Sequence, residues 1–145
     1  MLRKWLILGA VVTAMTLTVT GLSFADDDSP IHKLMEGVSA KTNAIKKATR
    51  TPVAYKKAHK DLVKHAEELI ELGKKSREMK ESAEKQKKPF AEWQKLTDDF
   101  LKKTEEFKTL VSESGTTQDA AKKSFAQVGA TCTACHNVFR VEDEK

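Results

Sequence analysis

Cys132-Thr133-Ala134-Cys135-His136 combines two thiols with an imidazole at a spacing that suits a single prosthetic group. On a helix, residues three apart lie about 60° from one another around the axis. Both thiols can therefore form thioethers to the two vinyl groups of one porphyrin. The histidine that follows is then held beneath the ring, where its imidazole ligates iron. C-x-x-C-H is the attachment pattern of a c-type haem. A zinc site would need further ligands at matched spacing, and one histidine accompanies the pair. A thioredoxin-like redox pair would need a strand–helix context. A plain Cys132–Cys135 disulfide stays open, and with it a haem-free helical interaction module.

The elements that must position this motif are helical. Ser29-Pro30 and Thr51-Pro52 are helix starts, with Pro at the first helical position, and Lys88-Pro89 restarts the chain a third time. Behind them run four apolar stripes at three- and four-residue steps. Ile31, Leu34, Met35, Val38 and Ile45 form the first, and Tyr55, Ala58, Leu62, Ala66 and Leu69 the second. Trp93, Leu96, Phe100, Thr104, Phe107 and Val111 form the third, and Ala121, Phe125, Val128, Cys132, Cys135 and Phe139 the fourth. Both cysteines thus fall on a core-facing stripe, with Gly129 and Ala130 leaving room beside them for a flat ligand. Ser112 to Thr117 reads as a loop around Gly115. Gly73 to Lys88, nearly all Lys, Glu, Ser and Gln, is expected to extend the second helix into solvent and then turn. No window alternates like a half-buried strand, so the economical fold is all-α, an antiparallel four-helix bundle.

Residues 1–25 read as a secretion signal. Arg3 and Lys4 precede an apolar run to Phe24, and Ser23-Phe24-Ala25 offers a cleavage site before Asp26-Asp27-Asp28. An uncleaved anchor is the alternative, because the run approaches the roughly 20 residues that span a bilayer. Residues 26–145 form the folded domain, expected in the periplasm or another extracytoplasmic compartment, without stable membrane insertion after cleavage. Of 145 residues 32% are charged and only 6% aromatic, with 2 Cys, too few for a disulfide scaffold. So few aromatics leave a small side-chain core, which a buried porphyrin would enlarge. Removing Arg3 and Lys4 leaves 24 cations against 21 anions, a net of +3. Nucleic acid is not expected as a partner, since that needs a concentrated basic patch with stacking aromatics. The charges read as interspersed: Lys87-Lys88 and Lys102-Lys103 sit near Glu84, Glu92, Asp98 and Asp99.

A second protein ligand to iron has to lie upstream, because neither Met nor His follows His136. Met1 and Met15 fall in the leader, which leaves Met35 and Met79. Met79 stands among polar residues, whereas Met35 shares the first helix's apolar face with Leu34. Met35 is the preferred distal ligand and His32, near the same face, the bis-His alternative. With neither, the iron is five-coordinate and Met35 or Leu34 covers it. His59 and His65 flank the second stripe and are assigned no role. Nothing pairs an acid with a base around a substrate, so the chain is read as a non-enzyme.

The C-terminal Cys132-x-x-Cys135-His136-x-x-Phe139-Arg140, the four stripes and the export signal resemble the class II cytochromes c, the cytochrome c′ family, over residues 29–141. The order of parts carries the likeness, because class I cytochromes place C-x-x-C-H near the N-terminus with their Met after it. The resemblance implies a left-handed four-helix bundle with one covalent haem between the helices. It implies two branches: low-spin members whose first-helix Met ligates iron and which carry electrons to redox partner proteins, and high-spin members that bind NO or CO. Met35 stands where the low-spin members have their ligand. Arg140 matches a C-terminal Arg that faces a haem propionate, and Ile31 departs from the Arg usual one turn before the Met. Homodimers through the first two helices are frequent in the family.

Overall fold

The computed structural model describes residues 29–140. The expected secretion signal lies outside the described residues. Five helices follow in order: α1 Pro30–Ala48, α2 Pro52–Arg77, α3 Lys80–Lys85, α4 Phe90–Ser112 and α5 Gln118–Phe139. The starts form as their sequences dictate. Ser29 Oγ accepts from the His32 N–H at 3.2 Å, and Thr51 Oγ1 accepts from the Ala54 N–H at 3.2 Å. Thr117 caps α5 through the Ala120 N–H at 3.2 Å. Each cap satisfies an amide that the helix's own ladder leaves without a partner.

The four long helices make the bundle. α1 packs on α2, α2 on α4, and α4 on α5. Ile45, Tyr55, Leu62, Ala66, Leu69, Phe107, Val111, Ala121, Phe125 and Val128 join in one buried cluster, so all four stripes meet as their periods require. Lys41 Nζ, 2.7 Å from Glu68 Oε2, ties α1 to α2 and draws the Glu68 carboxyl below its usual range. Arg77 grips Asp98 through Nε at 2.6 Å and Nη2 at 3.2 Å, tying α2 to α4.

The stretch from Gly73 to Lys88 corrects the expectation of a helix running into solvent. α2 stops at Arg77, and α3 folds back over the end of the bundle with Ala83 fully buried. Ala83, Trp93 and Phe139 form a second cluster here, flanked by Ile31, Met79, Phe90, Leu96, Cys135 and Val138. The Trp93 indole N–H donates to the Ser76 carbonyl at 2.7 Å and pins the turn.

Gly73 lets α4 approach α2. A Cβ built on it would stand 2.7 Å from Leu101 Cδ2 and 2.9 Å from Phe100 Cε1. Gly73→Val is therefore expected to lower unfolding free energy by about 2 kcal/mol in urea titrations, the ordinary cost of overpacking. Gly37 is the contrast: its Cβ would meet Leu72 at an ordinary 3.4 Å. Gly37→Ala should instead raise stability by up to about 1 kcal/mol through helix propensity. A Gly73→Val protein as stable as the parent would show that α2 and α4 do not approach this closely.

Candidate functional site

α5 carries the motif on the face its stripe selects. Cys132 and Cys135 are both half-buried free thiols. The Cys132 S–H donates to the Val128 carbonyl at 3.4 Å. Burial pushes both thiols above their ordinary pKa; at Cys132 a backbone contact and the charge of Lys46 partly offset this, and at Cys135 the neighbouring Cys132 adds to it. His136 is exposed. It shares an open depression of about 430 Å³ with Thr133, Asn137 and Arg140. Arg140 is thus beside the imidazole, at the cap of α5.

The side of the bundle between α1 and α5 is the loose one, where the two helices do not pack along one another as the other neighbours do. They are joined at the far end, where the Gln118 side-chain amide donates to the Thr49 carbonyl. Met35 lies fourteen residues from Thr49 along α1, and Cys132 lies fourteen from Gln118 along α5. Each is therefore about 21 Å from the tie and nearly four turns round, facing within about 40° of the tied residue. Met35 is half-buried. Ile31, about 40° to one side of Met35, belongs to the cluster that holds Cys135. Lys46, about 20° to the other side, is the cation whose charge reaches Cys132.

The alternatives to Met35 point elsewhere. His32 is exposed about 60° further round the helix, with Nε2 3.7 Å from Glu36 Oε1. Leu34 is buried about 100° from Met35, on the side where Gly37 meets Leu72 of α2. Sequence reasoning set one residue aside and missed another. Met79 packs at the motif end of the bundle, although its neighbours in sequence are polar. Lys46 acts on the Cys132 thiol through its charge alone, and only its place on the helical wheel of α1 foreshadows that.

The family described as Cytochrome C′ matches residues 29–140. The chain belongs to the cytochrome c′ family. Neither the curated proteins nor the solved structures compared with the chain yield a match. A cytochrome c′ is a haem-binding helical bundle, and the residues here fit that group. The donor set is two thiols and an imidazole within one turn and a half of helix, the chemistry that thioether attachment and iron ligation require. Gly129, almost two turns before His136 on the same line, has nothing within 4 Å of where a Cβ would stand. A flat group can therefore approach the α5 backbone there.

Proposed function

We propose that this member of the cytochrome c′ family is an exported carrier of single electrons holding one c-type haem. Cys132 and Cys135 anchor it, His136 is the proximal ligand, Met35 the distal ligand, and Arg140 faces a propionate. What supports this reading is the register of α1 and α5: counted from the Thr49–Gln118 bond, Met35 and Cys132 lie equally far along their helices. Helical side chains lean toward their own N-terminus. The N-terminus of α1 and the C-terminus of α5 share one end of the bundle. Met35 therefore leans toward that end, while His136, one turn beyond Cys132, leans back from it. In this reading a thioether and an imidazole would approach one haem from opposite helices.

The bound group supplies one-electron exchange at iron. The chain sets how readily that exchange occurs. Met/His ligation would raise the reduction potential, and the α3 end cap with Trp93 and Phe139 keeps water from that end of the bundle. The role is that of a carrier rather than an enzyme, working with redox partner proteins in the periplasm or another extracytoplasmic compartment. The alternative is a five-coordinate iron that binds NO or CO, with Met35 or Leu34 covering it.

The absorption spectrum of the reduced protein, before and after CO, tests the assignment. The expected result is a low-spin ferrous spectrum that CO leaves unchanged on mixing. A high-spin spectrum with immediate CO uptake would overturn ligation by Met35 and make the protein a gas binder. A mass equal to the polypeptide alone, after expression with haem-attachment machinery, would overturn haem attachment altogether.

A further inference from the structure

The charges of this protein are not interspersed evenly. The stretch Lys46–Lys64 holds seven Lys and Arg residues and one acid, Asp61, a net of +6. The whole chain carries +5, so all its other residues together sum to −1. All seven cations are exposed. None of them forms an ion pair among the described residues, whereas Lys41, Lys74, Arg77, Lys80, Lys103 and Lys108 elsewhere each lie within 4.0 Å of a carboxylate. Lys57, Lys60 and Lys64 repeat at helical steps on the outer side of α2, and Lys47 and Arg50 lie beside them at the end of α1. Val53, in the first turn of α2, is 67% exposed and is the one large apolar side chain so exposed among the described residues.

We infer that the outer face of the α1–α2 hairpin docks on an anionic membrane surface, at the end of the bundle away from Cys132 and His136. Clusters of four to eight Lys and Arg on an amphipathic helix suit anionic headgroups, each cation near the surface adding to the attraction. The composition favours lipid over a protein partner: protein interfaces are depleted in Lys and enriched in aromatic residues, and this face is rich in Lys and presents no exposed aromatic. The family's frequent pairing through the first two helices would here bring the same excess of positive charge against itself across a two-fold axis. Val53 stands where a small apolar tip can enter the headgroup layer while the surrounding lysines remain in water. Lys122 and Lys123, both exposed near Gln118, extend the basic surface onto the first turns of α5.

The test uses the haem-loaded, exported protein and co-sedimentation with vesicles. Vesicles containing phosphatidylglycerol should retain it at low salt and release it as salt rises, and vesicles of phosphatidylcholine alone should not retain it. Lys57→Gln, Lys60→Gln and Lys64→Gln together should weaken the partitioning by about a hundredfold, about fivefold for each cation removed. Lys74→Gln, Lys80→Gln and Lys95→Gln, the same change in net charge on the other half of the bundle, should cost less than about threefold if position governs. Circular dichroism and the haem spectrum report whether each variant keeps its fold. Absence of wild-type binding to the anionic vesicles would overturn the proposal, as would equal losses in the two triple variants. Tighter binding to a duplex DNA oligonucleotide than to the vesicles at the same salt would also overturn it.

Discussion

Replacing Met35 by alanine is expected to turn a low-spin ferrous spectrum into a high-spin one and to let CO bind within the mixing time. The reason is positional. Met35 is the thioether proposed to reach the haem from α1, and alanine cannot reach across from the same helix. Neither neighbour can substitute: His32 lies further round toward solvent with Glu36, and Leu34 is buried toward α2. His32→Ala should accordingly leave the spectrum unchanged. The reduction potential of Met35→Ala should fall, because Met/His ligation raises it. Its stability should fall by only about 1–2 kcal/mol, less than a fully buried Met→Ala change costs, since Met35 is half-buried. The fold thus survives to be measured. A Met35→Ala protein that stays low-spin and ignores CO would assign the distal ligand to another group.

The second large effect is expected from Cys132→Ser combined with Cys135→Ser. The double variant should lose all covalently held haem, read as a denaturing gel that no longer stains for haem and as complete extraction of pigment by acidified organic solvent. Each single variant should keep one thioether and stain still. The two positions lie on one face, half-buried beside the cluster that contains Trp93 and Phe139. Their serine replacements add hydroxyls to sites where burial already disfavours the thiolate. A double variant that holds its pigment through denaturation would refute attachment at this motif.

What the sequence made legible is what depends on neighbours along one helix. Cys132, Cys135 and His136 carry their proposed chemistry in their spacing, and the caps Ser29 and Thr51 act within three residues of themselves. The four stripes meet as their periods demand because burial selects whole helical faces. The unforeseen parts depend on residues distant in sequence. Met79 looked polar in its surroundings because its apolar neighbours come from α3, α4 and α5. The segment after Gly73 read as solvated, yet Ala83 is buried under contacts that only the closed bundle supplies. Charge was misjudged for the same reason. Arg77 and Asp98 are 21 positions apart, and Lys41 reaches Glu68 across two helices. Which cations are neutralised, and which are left as a patch, is decided only when the helices pack.

The Trp93 contacts give the protein an internal light source. The chain has 2 Trp. Trp5 lies within the expected secretion signal, so an exported form without residues 1–25 would emit from one indole only. That indole is 4% exposed, hydrogen-bonded to Ser76, and stacked edge-on at 5.1 Å against Phe139, three residues beyond His136. A porphyrin on α5 would be close enough to quench its fluorescence almost completely by energy transfer. Emission should therefore be dark in the loaded protein and bright in the empty one. Haem loading and loss can then be followed in a fluorimeter, without a label, from the residue that closes the end of the bundle.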